Sequence, residues 1–178
     1  MSAGAQEVQF SQFYNAPFYI NPALAGSTKY DRFGLQYRDQ WPGINETYKT
    51  FTAFYDKKMK AIKGGLGIYL LRDVAGSGAL TTTTASVNYG YGVQFNHRMS
   101  FRFGLRFGVS NTSIDQNKLL FADQVVRDFA STTIERFDRT SATYLDVGAG
   151  GEIKDSKTNV RLGVFLEHLN QGAQSFNK

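Results

Sequence analysis

Residues 99–109 read MSFRFGLRFGV, and two kinds of side chain alternate along them without interruption. The odd positions are apolar: Met99, Phe101, Phe103, Leu105, Phe107 and Val109. The even positions are charged, small or bare: Ser100, Arg102, Gly104, Arg106 and Gly108. A period of two is typical of a β-strand whose two faces meet different surroundings. A soluble β-sandwich could bury the apolar face, or lipid could cover it while the polar face lined the inside of a membrane barrel.

Six further segments predict strands, at 30–39, 47–56, 65–72, 81–95, 143–153 and 158–169. All but 47–56, whose facing is ambiguous, have one recognisable apolar face. The connections at 96–98 and 154–157 are tight, whereas 111–142 is very long. Outer-membrane barrels have short turns on the periplasmic side and longer loops outside. We therefore predict an all-β fold, an antiparallel transmembrane β-barrel with about seven strands in this chain.

The composition agrees with a membrane barrel. The 178 residues include 18 Gly, 15 Phe, 10 Tyr and no Cys, and the mean hydropathy is −0.34. Lipid-facing residues diluted by polar lumen residues give such values, and no apolar run approaches the ~20 residues that a transmembrane helix needs. The net charge is +5, with one basic cluster at 57–63 (KKMKAIK). A solvated basic surface explains this charge better than nucleic-acid binding.

The polar face of the predicted strands is rich in glycine and also carries charges of both signs. Glycine in a strand marks strong curvature or the close approach of another backbone. The candidates for lumen-facing charges are Arg102, Arg106, Asp146, Glu152, Arg161 and Glu167. We expect them to pair across neighbouring strands rather than to form a selectivity filter.

The N-terminal residues and the number of strands both bear on how much of a barrel this chain contains. Residues 1–7 (MSAGAQE) resemble the end of a secretory signal peptide, with a flexible N-terminus as the alternative. Residues 30–178 carry the barrel strands. Seven strands do not close a barrel of even strand number, and an open edge in lipid leaves backbone groups unsatisfied. We therefore expect either the first half of a larger barrel, truncated at the C-terminus, or closure by another chain.

Residues 8–29 form an aromatic N-terminal segment without strand periodicity. Asn15-Ala16-Pro17 and Asn21-Pro22-Ala23 are turn or helix-start signals. The segment is predicted to be a plug against the glycine-rich wall, with a hook on the outside as the alternative. The docking candidates are its large apolar side chains: Phe10, Phe13, Tyr14, Phe18 and Tyr19.

The same segment resembles the N-terminal signature of the PorP/SprF family, outer-membrane proteins of the type IX secretion system in Bacteroidetes. The matching motifs occur in the family's order: QFSQ at 9–12, FYINP at 18–22, AGS at 25–27, YRDQWPG at 37–43 and EHLNQ at 167–171. Asp39 stands where the family usually has Asn, and the family's second set of strands is absent. The resemblance implies a non-enzymatic component that aids export or surface anchoring of secreted proteins, in some members gliding adhesins. Its partners would be periplasmic and lipoprotein parts of the machinery, the cargo and outer-membrane lipid.

No catalytic, cofactor-binding or metal-binding pattern is found in the sequence. Neither His97 nor His168 has a paired acid at a useful spacing, and Ser100 near His97 lies at a predicted turn. The carboxylates in 111–142 fit no calcium loop. Besides the secretion component, two alternatives remain open: a passive outer-membrane porin or solute channel, and a soluble β-sheet binding module.

Overall fold

The computed structural model describes residues 17–41, 43, 48–115 and 140–170. It contains seven strands: β1 Arg32–Gln40, β2 Tyr48–Met59, β3 Gly64–Ala75, β4 Leu80–Gln94, β5 Met99–Ile114, β6 Ser141–Asp155 and β7 Arg161–Leu166. Each strand pairs antiparallel with the next, and together they form one sheet in sequence order, a half-barrel. The prediction of seven antiparallel strands in an all-β fold is confirmed.

The two faces of the sheet differ as the alternation predicts. Apolar side chains of the convex face are exposed, among them Phe107 at 57% and Leu145 at 65%. The polar or small residues of the concave face are mostly buried; Asn88 and Asp56 are both fully buried. The register pairs apolar residues with apolar residues, so each face keeps its character across strands. Phe107, for example, lies between Val87 and Val147.

The strand boundaries differ from the prediction where polar residues continue the pairing. β5 extends to Ile114 and β6 begins at Ser141, so the connection predicted at 111–142 is shorter, and its residues 116–139 lie outside the described part. Asn111 extends the ladder because its Nδ2 donates to Ser141 Oγ (2.9 Å) and Thr143 Oγ1 (2.7 Å). β7 is shorter than predicted because Asn159 and His168 have positive φ angles of 55° and 56°.

The ambiguous facing of β2 is resolved by its pairing. Thr50, Thr52 and Asp56 lie buried on the concave face, whereas Phe51 and Tyr55 are exposed on the convex face. The sequence pattern hides this arrangement because Phe54, a large apolar residue, also lies on the concave side, where it covers Gly34.

The sheet has two ends that are used below. The short-turn end comprises residues 29–31, 57–63, 95–100 and 154–161, which include the turns β2–β3, β4–β5 and β6–β7. The long-connection end carries β1–β2, β5–β6 and the short 3-10 helix Gly76–Gly78 between β3 and β4. No helix in the described residues is long and apolar enough to cross a membrane.

Candidate functional site

The N-terminal segment makes a compact turn against the concave face. Helix α1 (Pro17–Ile20) is followed by a 3-10 helix, Pro22–Leu24. Asn21 caps this helix, since its side-chain oxygen accepts from the Ala23 N–H at 2.9 Å, and Pro22 occupies the first turn. Gly26 ends the turn with a φ of 58°. Residues 21–26 (NPALAG) are called the docked segment below.

Four glycines form a line across the concave face beneath this segment. The register pairs Gly65 of β3 with Gly90 of β4, Gly90 with Gly104 of β5, and Gly104 with Gly150 of β6. Neighbouring strands lie about 4.8 Å apart, so this glycine row is a shallow trough that runs perpendicular to the strands.

The docked segment lies in this trough at backbone contact. A Cβ added to Gly104 would lie 2.0 Å from the Ala23 nitrogen, and one on Gly90 would lie 2.5 Å from the Ala25 oxygen. A Cβ on Gly65 would lie 2.3 Å from the Gly26 Cα, and one on Gly150 would lie 2.1 Å from the Asn21 Oδ1. Any side chain in the row would displace the segment, so glycine is required at all four positions for this packing.

Arg102 of β5 fixes the middle of the docked segment. Its Nε donates to the Ala23 carbonyl at 2.7 Å, and its Nη2 donates to the Ala25 carbonyl at 2.8 Å. Arg102 is the register partner of Glu152, but its hydrogen bonds go to the segment. The planar guanidinium suits two carbonyls on one side of a turn, because its donors diverge in a fixed fork.

Asp56 and Arg32 fix the end of the docked segment. The fully buried Asp56 carboxylate accepts from Arg32 Nε (2.8 Å) and Nη2 (2.9 Å) and from the Gly26 N–H at 2.7 Å. Arg32 also donates to the Leu24 carbonyl at 2.8 Å. A buried carboxylate is tolerated when it is paired and hydrogen-bonded, and here three donors meet that requirement.

Asn21 joins the start of the docked segment to the last two strands. Its Nδ2 donates to the Gly151 carbonyl at 3.0 Å and to the Val164 carbonyl at 3.2 Å. The docked segment thus contacts all seven strands. Arg32 of β1, Asp56 of β2 and Arg102 of β5 reach its backbone with their side chains, the glycine row of β3 to β6 packs beneath it, and Asn21 bonds to the backbone of β7.

A second polar cluster lies next to the glycine row on the side of the long-connection end. Arg106 forms an ion pair with Glu167, donates to Asn88 Oδ1 at 3.2 Å, and stacks 4.6 Å from the ring centre of Phe165. His168 Nδ1 lies 2.8 Å from Asp146 Oδ1. The expectation that neither histidine has a paired acid is therefore wrong for His168, because the β6–β7 register brings Asp146 to it.

The six candidates for lumen-facing charges have the following positions. Arg106, Asp146 and Glu152 are buried on the concave face, Arg102 and Glu167 are partly buried, and Arg161 is exposed on edge strand β7. Arg102, Glu152 and Arg161 line a cavity of about 250 Å³ beside Ser27 at the short-turn side of the docked segment.

The docking candidates are described only in part. Phe10, Phe13 and Tyr14 lie outside the described residues, and Phe18 and Tyr19 belong to α1 although their side chains lie outside the described part. The residues that hold the segment and that sequence reasoning missed are Asn21, Arg32, Asp56 and Gly65, whereas Gly90, Gly104 and Gly150 belong to the glycine-rich polar face that the sequence predicts. The NPALAG sequence is the signal that could have identified the segment, since an N-cap, an N1 proline and a terminal glycine enclose it.

The comparisons with known proteins give one result. A family model described as "Type IX secretion system membrane protein PorP/SprF" matches residues 2–178. No curated protein and no solved structure matches the chain significantly.

Proposed function

Since the chain belongs to the PorP/SprF family of type IX secretion system membrane proteins, we propose that it is a non-enzymatic component of the outer membrane that aids export or surface anchoring of secreted proteins. Cargo of this kind includes gliding adhesins. The observation that carries the proposal is the family match over residues 2–178, joined to a half-barrel whose convex face is apolar and whose concave face is filled by the docked segment.

The convex face supports a membrane location. Exposed large apolar side chains occur on all seven strands, for example Leu35, Phe51, Ile68, Val87, Phe107, Leu145 and Val164. An apolar surface of that extent is rare on a soluble monomer. Aromatic residues lie towards both edges of this band, Tyr37 and Phe51 near the long-connection end and Tyr55 and Tyr91 near the other. Outer-membrane barrels have such aromatic girdles.

The docked segment supports a plugged barrel over an open porin. It lies across the glycine row from β3 to β6, where a lumen would otherwise be open. Division of the chain into residues 1–7, a plug at 8–29 and barrel strands at 30–178 is part of this proposal. The candidate charges Arg102, Arg106, Asp146, Glu152, Arg161 and Glu167 would then face the lumen, where Arg102 holds the plug and Arg106 pairs with Glu167.

The proposed partners follow from the family. They are the periplasmic and lipoprotein components of the secretion machinery, the secreted cargo and outer-membrane lipid. Nucleic acid is not among them, and the proposal involves no cofactor and no metal.

Deletion of residues 10–24 from the complete protein tests the proposal. The deletion variant replaces the native copy in the cell, and cargo is measured by immunoblot in the medium and on the cell surface. We expect secretion to stop and the purified variant to conduct ions in planar bilayers. The matched control is Gly43→Ser, an exposed change in the β1–β2 connection with nothing within 4 Å of its Cβ position. Unchanged secretion, heat stability and conductance in the deletion variant would contradict the plug.

A further inference from the structure

The net positive charge of the chain is concentrated at the short-turn end. It carries nine Lys and Arg residues against two carboxylates, Asp31 and Asp155, although the whole chain has only a net charge of +5. The cations are Lys29, Lys57, Lys58, Lys60, Lys63, Arg98, Lys154, Lys157 and Arg161. The remainder of the chain is therefore net acidic, and this basic rim is a property of one end of the sheet.

Both carboxylates of the rim already have partners. Asp155 is paired with Arg98 at 2.7 Å. Asp31 accepts from the Tyr55 hydroxyl at 2.8 Å and lies 3.3 Å from Lys57, and these two groups hold the pKa of Asp31 below its usual value. The side chains of the other seven rim cations form no hydrogen bond or ion pair with the described residues; Lys29 lies over the Tyr30 ring at 5.9 Å, and Lys154 and Arg161 line the cavity beside Ser27. The remaining four are Lys58, Lys60, Lys63 and Lys157. The rim thus presents positive charge that the described chain does not neutralise.

Exposed apolar side chains stand beside the cations in each short turn. Met59 and Ile62 are 38% and 39% exposed among the lysines of the β2–β3 turn. Phe95 is 83% exposed three residues before Arg98, and Val160 is 52% exposed beside Arg161. Lysine and arginine side chains with apolar neighbours are typical of a membrane interface, where the apolar group enters the acyl boundary and the cation reaches the headgroups.

We propose that the exposed cations at the turn tips of the basic rim, Lys60, Lys63 and Lys157, bind the anionic phospholipid headgroups of the leaflet at the short-turn end. This inference rests on the proposed membrane barrel. The β2–β3 turn, residues 60–63, is too short to extend away from the end of its strands, so its lysines stay at headgroup depth. An acidic periplasmic protein could match the charge but would give no reason for an apolar side chain in every turn. Cations near an anionic surface are attracted individually, so the effect should grow with their number.

The test compares two matched double variants of the complete protein in lipid vesicles. Lys60→Gln with Lys157→Gln removes two rim charges at turn tips, and Lys49→Gln with Arg72→Gln removes two exposed charges near the long-connection end. Phosphatidylcholine vesicles contain a small fraction of spin-labelled phosphatidylglycerol or spin-labelled phosphatidylcholine. The immobilised fraction of each label gives the relative association constant of the two lipids.

We expect wild type and the control to prefer phosphatidylglycerol. In the rim variant, the ratio of the association constants of phosphatidylglycerol and phosphatidylcholine should fall roughly tenfold. High salt should reduce the preference in the same way. An equal preference in the rim variant and wild type would overturn the inference. A rim variant with unchanged lipid preference but lost secretion would overturn it in favour of an acidic protein partner. No immobilised lipid with any variant would instead contradict the membrane barrel itself.

Discussion

Gly104 of β5 and Ala23 of the docked segment are in backbone contact: a Cβ on Gly104 would lie 2.0 Å from the Ala23 nitrogen. The docked segment therefore packs directly on the strand backbones because the wall has glycines beneath it, and this packing continues along the row from Gly65 to Gly150.

Gly104→Ala should displace the docked segment. The added methyl group would overlap backbone atoms of Pro22 and Ala23, which can move only if the whole segment moves. Overpacking of this kind costs about 1–3 kcal/mol. The control is Gly151→Ala on the convex face of β6, where a Cβ would meet its nearest atom at 3.7 Å, an ordinary contact. The heat-modifiability midpoint of the complete protein and proteolysis at residues 21–26 measure the effect. Equal midpoints and equal cleavage for the two variants would contradict the trough.

Asp56→Asn should loosen the same segment from its other end. The change removes the charge that faces Arg32 and weakens the bond to the Gly26 N–H, and breaking a buried ion pair costs about 3 kcal/mol. The control is Asp39→Asn, at an exposed carboxylate that, among the described residues, accepts only from the Tyr37 hydroxyl at 3.1 Å. Urea unfolding of both variants in the same vesicles gives the difference. A stability loss as small as that of the control would mean that Asp56 does not hold the segment.

Some of this architecture could be predicted from the sequence because it is local. The alternation in 99–109 assigns Phe107 to one face and Arg106 to the other, and the structure has the same assignment. The glycine row could not be predicted, since Gly65, Gly90, Gly104 and Gly150 lie at unequal intervals in the sequence and align only through the register of four strands. The same holds for the pair Asp146 and His168. Register depends on long-range pairing, which a single sequence does not specify.

The convex face should tolerate charge in a depth-dependent way. Phe107→Arg places a cation near the middle of β5 on the exposed apolar face, where lipid would make it cost about 2–4 kcal/mol. Thr83→Arg, on the convex face near the long-connection end, should cost about 0–1 kcal/mol. The folded fraction recovered in vesicles, measured by heat modifiability, separates the two. Similar folded fractions would indicate that the convex face does not contact lipid.

The two ends of the sheet should lie on opposite sides of the outer membrane. The chain has no cysteine, so a single introduced thiol reports its own position. Gly43→Cys, exposed in the β1–β2 connection at the long-connection end, should react with an impermeant maleimide on intact cells. Lys60→Cys, exposed in the β2–β3 turn at the short-turn end, should react only after the outer membrane is opened. Barrels of this kind keep their short turns in the periplasm, which is the reason for the expected order. Labelling of Lys60→Cys but not of Gly43→Cys on intact cells would invert the orientation and would place the basic rim at the outer leaflet.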